Sequence, residues 1–267
     1  MSDARSSIPM RPLTPRSVSL EPPPRLLAPD PEMRATPTAL FLDFDGTLVE
    51  IAAHPDHVIV PEILPTLLER LEERLDGRLA VISGRSIAAL DRLLCAPGIA
   101  LAGSHGGEFR PAGSRRVEAL ADALPDTVAD ALSRFAVDAG GLLFERKPFS
   151  VAVHYRNRPE VRERLLARAS ELAAGHGLAV KHGKMVVELV MPGSDKGSAV
   201  ARFMDLPGFA GAMPWFAGDD VTDEDAFQMV TSFGGSGVLV GPARQTAALW
   251  RLSDVAALYQ WLEEALA

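Results

Sequence analysis

Ten residues constrain this chain more than any others: Leu40-Phe41-Leu42-Asp43-Phe44-Asp45-Gly46-Thr47-Leu48-Val49. The apolar run 39–42 reads as a buried strand. Asp43 follows at once, so its carboxylate stands at the strand's carboxyl end, where open α/β sheets bind ligands. Asp45 lies two residues on, Gly46 permits a sharp turn, and Thr47 adds a hydroxyl beside the acids. Two carboxylates this close repel each other unless a cation or a shared proton lies between them. Carboxylates suit magnesium, so a divalent ion is the expected resolution. A plain polar turn after a strand is the simpler alternative. An EF-hand calcium loop fits less well, because its later acidic ligands are absent.

With 267 residues the chain is long enough for one large domain or two smaller ones, and 47% apolar residues support a real core. The net charge of −8 argues against a nucleic-acid surface but leaves anionic small molecules open as substrates. A lone Cys95 excludes an internal disulfide and fits a reducing cytoplasm. No apolar run approaches the ~18–20 residues of a membrane span, and the N-terminus shows no apolar signal core. The expectation is a cytoplasmic monomer with a small-molecule substrate and no membrane or nucleic-acid partner.

Residues 1–37 carry prolines at 9, 12, 15, 22, 23, 24, 29, 31 and 37, which leave no hydrophobic period. The segment reads as a disordered tail. Beyond it, strands and helices alternate: a strand at 39–43, a helix near 62–75, a strand at 79–82, a helix carrying Ile87, Leu90 and Leu94, and a strand at 99–102. This alternation predicts a doubly wound parallel sheet. The pattern then changes to a helix near 122–138, strands at 142–147 and 150–156, a helix at 159–174, and strands at 178–182 and 185–190. Hairpins do not belong inside a doubly wound sheet. Residues 108–192 therefore read as an inserted α+β module, with 38–107 and 193–267 as the α/β core. After it come a helix from Lys196, strands at 215–217 and 238–240, and a largely helical 246–265.

Three further clusters follow predicted strands or open helices. Ser83 ends the second strand, where its hydroxyl either holds a phosphoryl oxygen or caps a helix. Lys196 opens a helix, an unfavourable place for a cation unless an anion binds there; a solvated lysine is the alternative. Residues 218–225, Gly-Asp-Asp-Val-Thr-Asp-Glu-Asp, form the densest acidic cluster. An acidic helix start accounts for its later acids but not for Asp219 and Asp220, one of which should complete a metal site with Asp43. Side chains alternate along strands, so Glu145 and Lys147 share one face, His154 and Arg156 another, and Lys184, Val186 and Glu188 a third. Such faces suit a hydroxyl-rich sugar, or simply solvent.

The stretch at Asp43 resembles the first motif of the haloacid dehalogenase superfamily. Ser83, Lys196 and Asp219/Asp220 follow in the order of its other motifs, and the insertion resembles its C2-type cap. Gly-Ser-His-Gly-Gly-Glu at 103–108, Phe144-Glu145-Arg146-Lys147 with His154-Tyr155-Arg156, and Gly-Asp-Asp-Val-Thr-Asp-Glu-Asp-Ala-Phe at 218–227 narrow the resemblance to the trehalose-6-phosphate phosphatase family, over about 38–260. Many relatives have Asp where Arg146 stands, so Arg146 is left out of the site. The resemblance implies a Rossmann-like core and a Mg²⁺-dependent phosphatase that forms an aspartyl-phosphate. It implies Asp43 as nucleophile, Asp45 as acid and base, and Ser83 and Lys196 on the phosphoryl group. Arg85, His105, Glu145, Lys147, Arg156, Lys184 and Glu188 would hold the sugar phosphate. Metal would be held by Asp43, Asp45 through its main-chain carbonyl, and Asp219 or Asp220. A related phosphatase for sucrose phosphate or mannosyl-phosphoglycerate, or a sensor without turnover, is the rival.

Overall fold

A computed structural model describes residues 20–27, 36–52, 54–95, 98–120, 122–147, 149–183, 185–192 and 195–267. Fully buried apolar runs make the first strands: β1 (Thr38–Leu42) and, after α1 (Leu64–Arg74), β2 (Leu79–Ile82). In α1, Leu64, Leu67, Leu68 and Leu71 form the buried stripe, and a proline occupies its first turn. Next come α2 (Ile87–Leu94), capped by the Ser86 hydroxyl, and β3 (Ala100–Gly103). The chain continues through β4 (Glu108–Arg110), β5 (Glu118–Ala119), α3 (Asp126–Asp138), β6 (Leu143–Arg146) and β7 (Ser150–His154). Then follow α4 (Arg162–His176), β8 (Ala179–Gly183), β9 (Val186–Val190) and α5 (Lys196–Met204). Last come β10 (Met213–Gly218), α6 (Glu224–Ser232), β11 (Ser236–Val240), β12 (Trp250–Leu252) and α7 (Val255–Glu264).

Eight strands form one sheet in the order β12-β11-β10-β1-β2-β3-β4-β5, parallel from β12 to β3 and antiparallel at β4 and β5. Alternating side chains divide its core in two. Leu40, Leu42, Val81 and Val238 pack under α1, α2 and α7, while Phe41, Ile82, Phe216 and Leu239 pack under α5 and α6. The fold is the doubly wound α/β type read from the sequence. From β1 the chain runs outward through β2 and β3, then returns on the other side through β10. The switch point therefore lies between β1 and β10, and their carboxyl ends open a crevice there.

A second sheet, β6-β7-β9-β8, is antiparallel throughout. Val151, Val153, Val187 and Leu189 put one face of it against α3 and α4. Residues 108–119 differ from their expected place in the inserted module. β4 hydrogen-bonds onto β3 and β5 onto β4, extending the large sheet, because the turn at 104–107 folds the chain straight back on β3. Two other expectations fail. Residues 250–252 are a strand on β11, not part of a long helix. Residues 20–27 are ordered: Leu26 and Leu27 are buried in the α1/α7 side of the core, the Trp261 indole donates to the Pro24 carbonyl at 2.7 Å, and the Arg251 N–H donates to the Glu21 carbonyl at 3.0 Å. The rest of the expected tail lies outside the described residues, apart from Thr36 and Pro37. No helix among the described residues is long and apolar enough to cross a membrane.

Candidate active site

The crevice floor is built from strand ends. Asp43 stands one residue beyond β1, Ser83 one beyond β2 and Asp219 one beyond β10, and all three are buried. The Lys196 ammonium, at the first residue of α5, lies 2.6 Å from Asp43 Oδ1 and 2.6 Å from Asp223 Oδ1. Thr47 Oγ1 lies 3.4 Å from Asp43 Oδ2. Gly46 has φ +85°, and a Cβ there would fall 2.2 Å from Asp219 Oδ2. Only glycine lets the loop of Asp45 pass this close to that carboxylate. Asp223 is fully buried, and its Oδ2 accepts the backbone N–H groups of Asp219 and Asp220, both at 2.9 Å.

Asp43, Asp219 and Asp223 each offer an oxygen within 4.8 Å of the others. Burial pushes the Asp43 carboxyl well above the usual carboxylate range, Asp223 and Asp219 push it further, and Lys196 opposes them. Burial would lower the Lys196 ammonium, but Asp223 and Asp43 outweigh it and hold the group above the ordinary lysine range. Lys196 is thus bonded to two of the three buried carboxylates. The donor set, all hard oxygen with surplus negative charge, fits a divalent cation.

Around the floor, Arg85 donates to both oxygens of Asp45, Nε to Oδ2 and Nη2 to Oδ1, each at 2.7 Å. The Ser83 hydroxyl accepts the Arg85 N–H at 3.1 Å, while the cap of α2 belongs to Ser86. His105 sits in the left-handed region at φ 58°, and its ring packs where a Cβ on Gly84 would lie, 2.7 Å away.

The smaller sheet forms the ceiling. Its ladder aligns Glu145, Ala152, Glu188 and Lys181 as one row across β6, β7, β9 and β8. Side chains of this row and of the flanking rows line the same cavity of about 210 Å³ as Asp43, Asp45, Ser83, Lys196 and Asp219. Glu188 is buried and accepts from Ser150 Oγ at 2.6 Å and Lys147 Nζ at 3.0 Å; His105 Nε2 lies 2.8 Å from its other oxygen. Burial would raise the Glu188 carboxyl, yet Lys147, His105 and Ser150 bring it well below the ordinary glutamate range. Burial lowers His105 below its ordinary value despite Glu188, which favours a neutral ring donating from Nε2. Glu145 lies 3.2 Å from His154 Nε2. At the rim, exposed Arg156 reaches the Ala52 carbonyl at 3.3 Å.

Most sequence-predicted site residues thus meet around one cavity. Lys184 lies outside the described residues. Asp220 lines the cavity, but its carboxylate caps the helical turn Val221–Asp223, accepting from Val221 N–H at 2.7 Å. Asp223 takes the place in the acidic cluster that Asp220 was expected to share, because one helical turn brings residue i+4 back beside Asp219. The Asp45 carboxylate is likewise outside that cluster and belongs to Arg85. The sequence reading also passed over Lys181, which hairpin pairing with Glu188 would have found, and over Ile51 and Val58, which carry no chemical signal.

The sequence profile of the trehalose-phosphatase family matches residues 41–256. Trehalose-6-phosphate phosphatase of Escherichia coli K12 is 39% identical over 89% of this chain and 89% of its own length. A probable trehalose-phosphate phosphatase of Sinorhizobium fredii is 41% identical over 76% of this chain and 78% of its own. Among solved structures, the C-terminal domain of C. albicans trehalose-6-phosphate phosphatase superposes with a TM-score of 0.77 at 25% identity, covering 87% of this chain and 93% of that one. A haloacid dehalogenase-like hydrolase from Bacteroides thetaiotaomicron shares the fold, with a TM-score of 0.61 at 19% identity over 85% and 98%.

Proposed function

We propose a reaction scheme from one premise: the chain belongs to the trehalose-phosphatase family. Its activity is hydrolysis of trehalose 6-phosphate to trehalose and phosphate. The observation that carries the scheme is the pairing of Asp43 with Lys196 at the cavity floor, beneath a ceiling of Glu145, Lys147 and Glu188. A carboxylate oxygen of Asp43 attacks phosphorus as the bond to the sugar oxygen breaks, leaving an aspartyl-phosphate and trehalose. Asp45, whose two oxygens accept from Arg85 in the resting site, takes up a solvent proton and passes it to the departing oxygen, then takes one from the water that cleaves the aspartyl-phosphate. Arg85 fixes the direction in which the Asp45 carboxylate points. Lys196 and the Ser83 hydroxyl hold phosphoryl oxygens as charge develops.

A divalent ion, which we take to be Mg²⁺, would be held by Asp43 and Asp219 with the Asp45 main-chain carbonyl, and would supply Lewis-acid charge to the phosphoryl oxygens. Asp223 serves that site indirectly by holding Lys196 and the backbone of residues 219–220. The four-stranded unit acts as a cap over the core and excludes water when closed. Cys95 as the lone cysteine agrees with a cytoplasmic setting.

A panel assay of phosphate release in magnesium tests this reading, using trehalose 6-phosphate, sucrose phosphate, mannosyl-phosphoglycerate and glucose 6-phosphate. Trehalose 6-phosphate should lead in kcat/KM by roughly tenfold or more. A flat profile, or no release from any member, would sink the assignment.

A further inference from the structure

Two of the apolar side chains that line the cavity belong to no core. Ile51, two residues past the catalytic loop, is 40% exposed and is absent from both packing faces of the large sheet. Val186 begins β9, points to the same face as Glu188, is partly buried, and is absent from the apolar cluster under α3 and α4. One belongs to the core and the other to the cap. Val58 adds to the core side of the same wall.

Left uncovered in water, such side chains contribute nothing; covered by an apolar surface, they stabilise what covers them. A pyranose ring offers that surface. Its hydroxyls project around the edge, and its two faces are largely C–H. Glu145, Lys147 and Glu188 can serve the edge, whereas nothing charged is suited to the faces. Depth then decides which ring is concerned. Asp43 is 4% and Lys196 2% exposed at the floor, so the phosphorylated ring is tethered deep. Ile51 and the Arg156–Ala52 contact stand at the rim. We infer that Ile51 and Val186, one from each lobe, clamp the C–H faces of the second, unphosphorylated glucose ring and so select a disaccharide phosphate over a monosaccharide phosphate. This rests on the trehalose 6-phosphate reading above and adds to it a subsite and a basis for discrimination.

The test compares trehalose 6-phosphate with glucose 6-phosphate for the whole protein and for Ile51→Ala, Val186→Ala and the double variant. Each single change should lower kcat/KM for trehalose 6-phosphate about five- to tenfold, mainly through KM, given what a few methyl groups contribute in an apolar contact. With glucose 6-phosphate the change should stay below about twofold, because its lone ring stops short of the rim. Inhibition by free trehalose should weaken in parallel. Ile51→Leu, which keeps the apolar bulk, should restore most of the loss. Equal losses on both substrates, or no loss on either, overturn the clamp while leaving the trehalose 6-phosphate assignment intact. Parental protein that fails to prefer trehalose 6-phosphate overturns both.

Discussion

The floor and the ceiling of the cavity are both buried and both charged, yet carboxylates behave in opposite ways in them. At the floor, Asp43 is pushed well above its ordinary range. At the ceiling, Glu188 is brought well below its own. Burial acts in the same direction on each. The difference is in the company: Asp43 is bonded to Lys196 but pushed up by Asp223 and Asp219 beside it, whereas Lys147, His105 and Ser150 all converge on Glu188. A floor with surplus negative charge is suited to a divalent cation and a phosphoryl group. A ceiling whose charges are already balanced is suited to neutral hydroxyls, which exchange hydrogen bonds without adding charge.

This contrast can be broken from either side. Asp43→Asn should abolish turnover on every substrate and leave no phosphate covalently bound to the protein, measured by phosphate release and intact mass. Persistent turnover would remove Asp43 from the role of nucleophile. Asp45→Asn should cost about 10²–10⁴-fold with trehalose 6-phosphate and less with nitrophenyl phosphate, whose leaving group needs no proton. If both substrates suffer alike, Asp45 is not the acid. Glu188→Ala should cost roughly 10- to 150-fold in kcat/KM with trehalose 6-phosphate, the worth of a hydrogen bond to a charged group, and little with an aryl phosphate. A uniform loss would mean that the ceiling serves the fold, not the sugar.

The smallest effect sharpens the comparison through pH. The folded His105 ring binds a proton less readily than its ordinary value of 6.5 implies. Below about pH 6.5 the unfolded chain therefore holds more protons at this site, and stability falls as pH falls. Glu188 acts in a lower window: its contribution is whole above the ordinary glutamate value near 4.5 and is lost as pH falls from there toward its depressed folded value. His105→Gln should flatten the stability slope between about pH 5 and 6.5, by at most ~1.4 kcal/mol per pH unit. Denaturant midpoints at several pH values measure it. An unchanged slope would show that the ring already carries its proton in the folded state.

Much of this was legible in the sequence because strand ends are. Asp43, Ser83 and Asp219 each follow an apolar run, and a doubly wound sheet gathers such ends in one place. What escaped depended on rotation or on distant pairing. Asp223 required the turn at 221–223 to be known, since it swings Asp220 into a capping role. Lys181 required the hairpin register that sets it opposite Glu188. Leu26 and Leu27 have no period among their prolines, and only the groove beside Trp261 gives them somewhere to go. β12 is three residues long, too short for alternation to register.

The sheet order also has a consequence in time. β1 is central, but one of its neighbours, β10, begins 175 residues after Thr38, at Met213. A chain emerging from the ribosome therefore carries Asp43 on a strand that is paired only toward β2 until the whole intervening segment has been made. The β6–β9 unit is complete by Val190, its strands pair only with one another, and α3 and α4 lie within the same stretch. The four-stranded unit can thus take shape while the large sheet is still waiting for its second wall, and Asp43 meets Lys196, Asp219 and Asp223 only as the last third of the chain arrives.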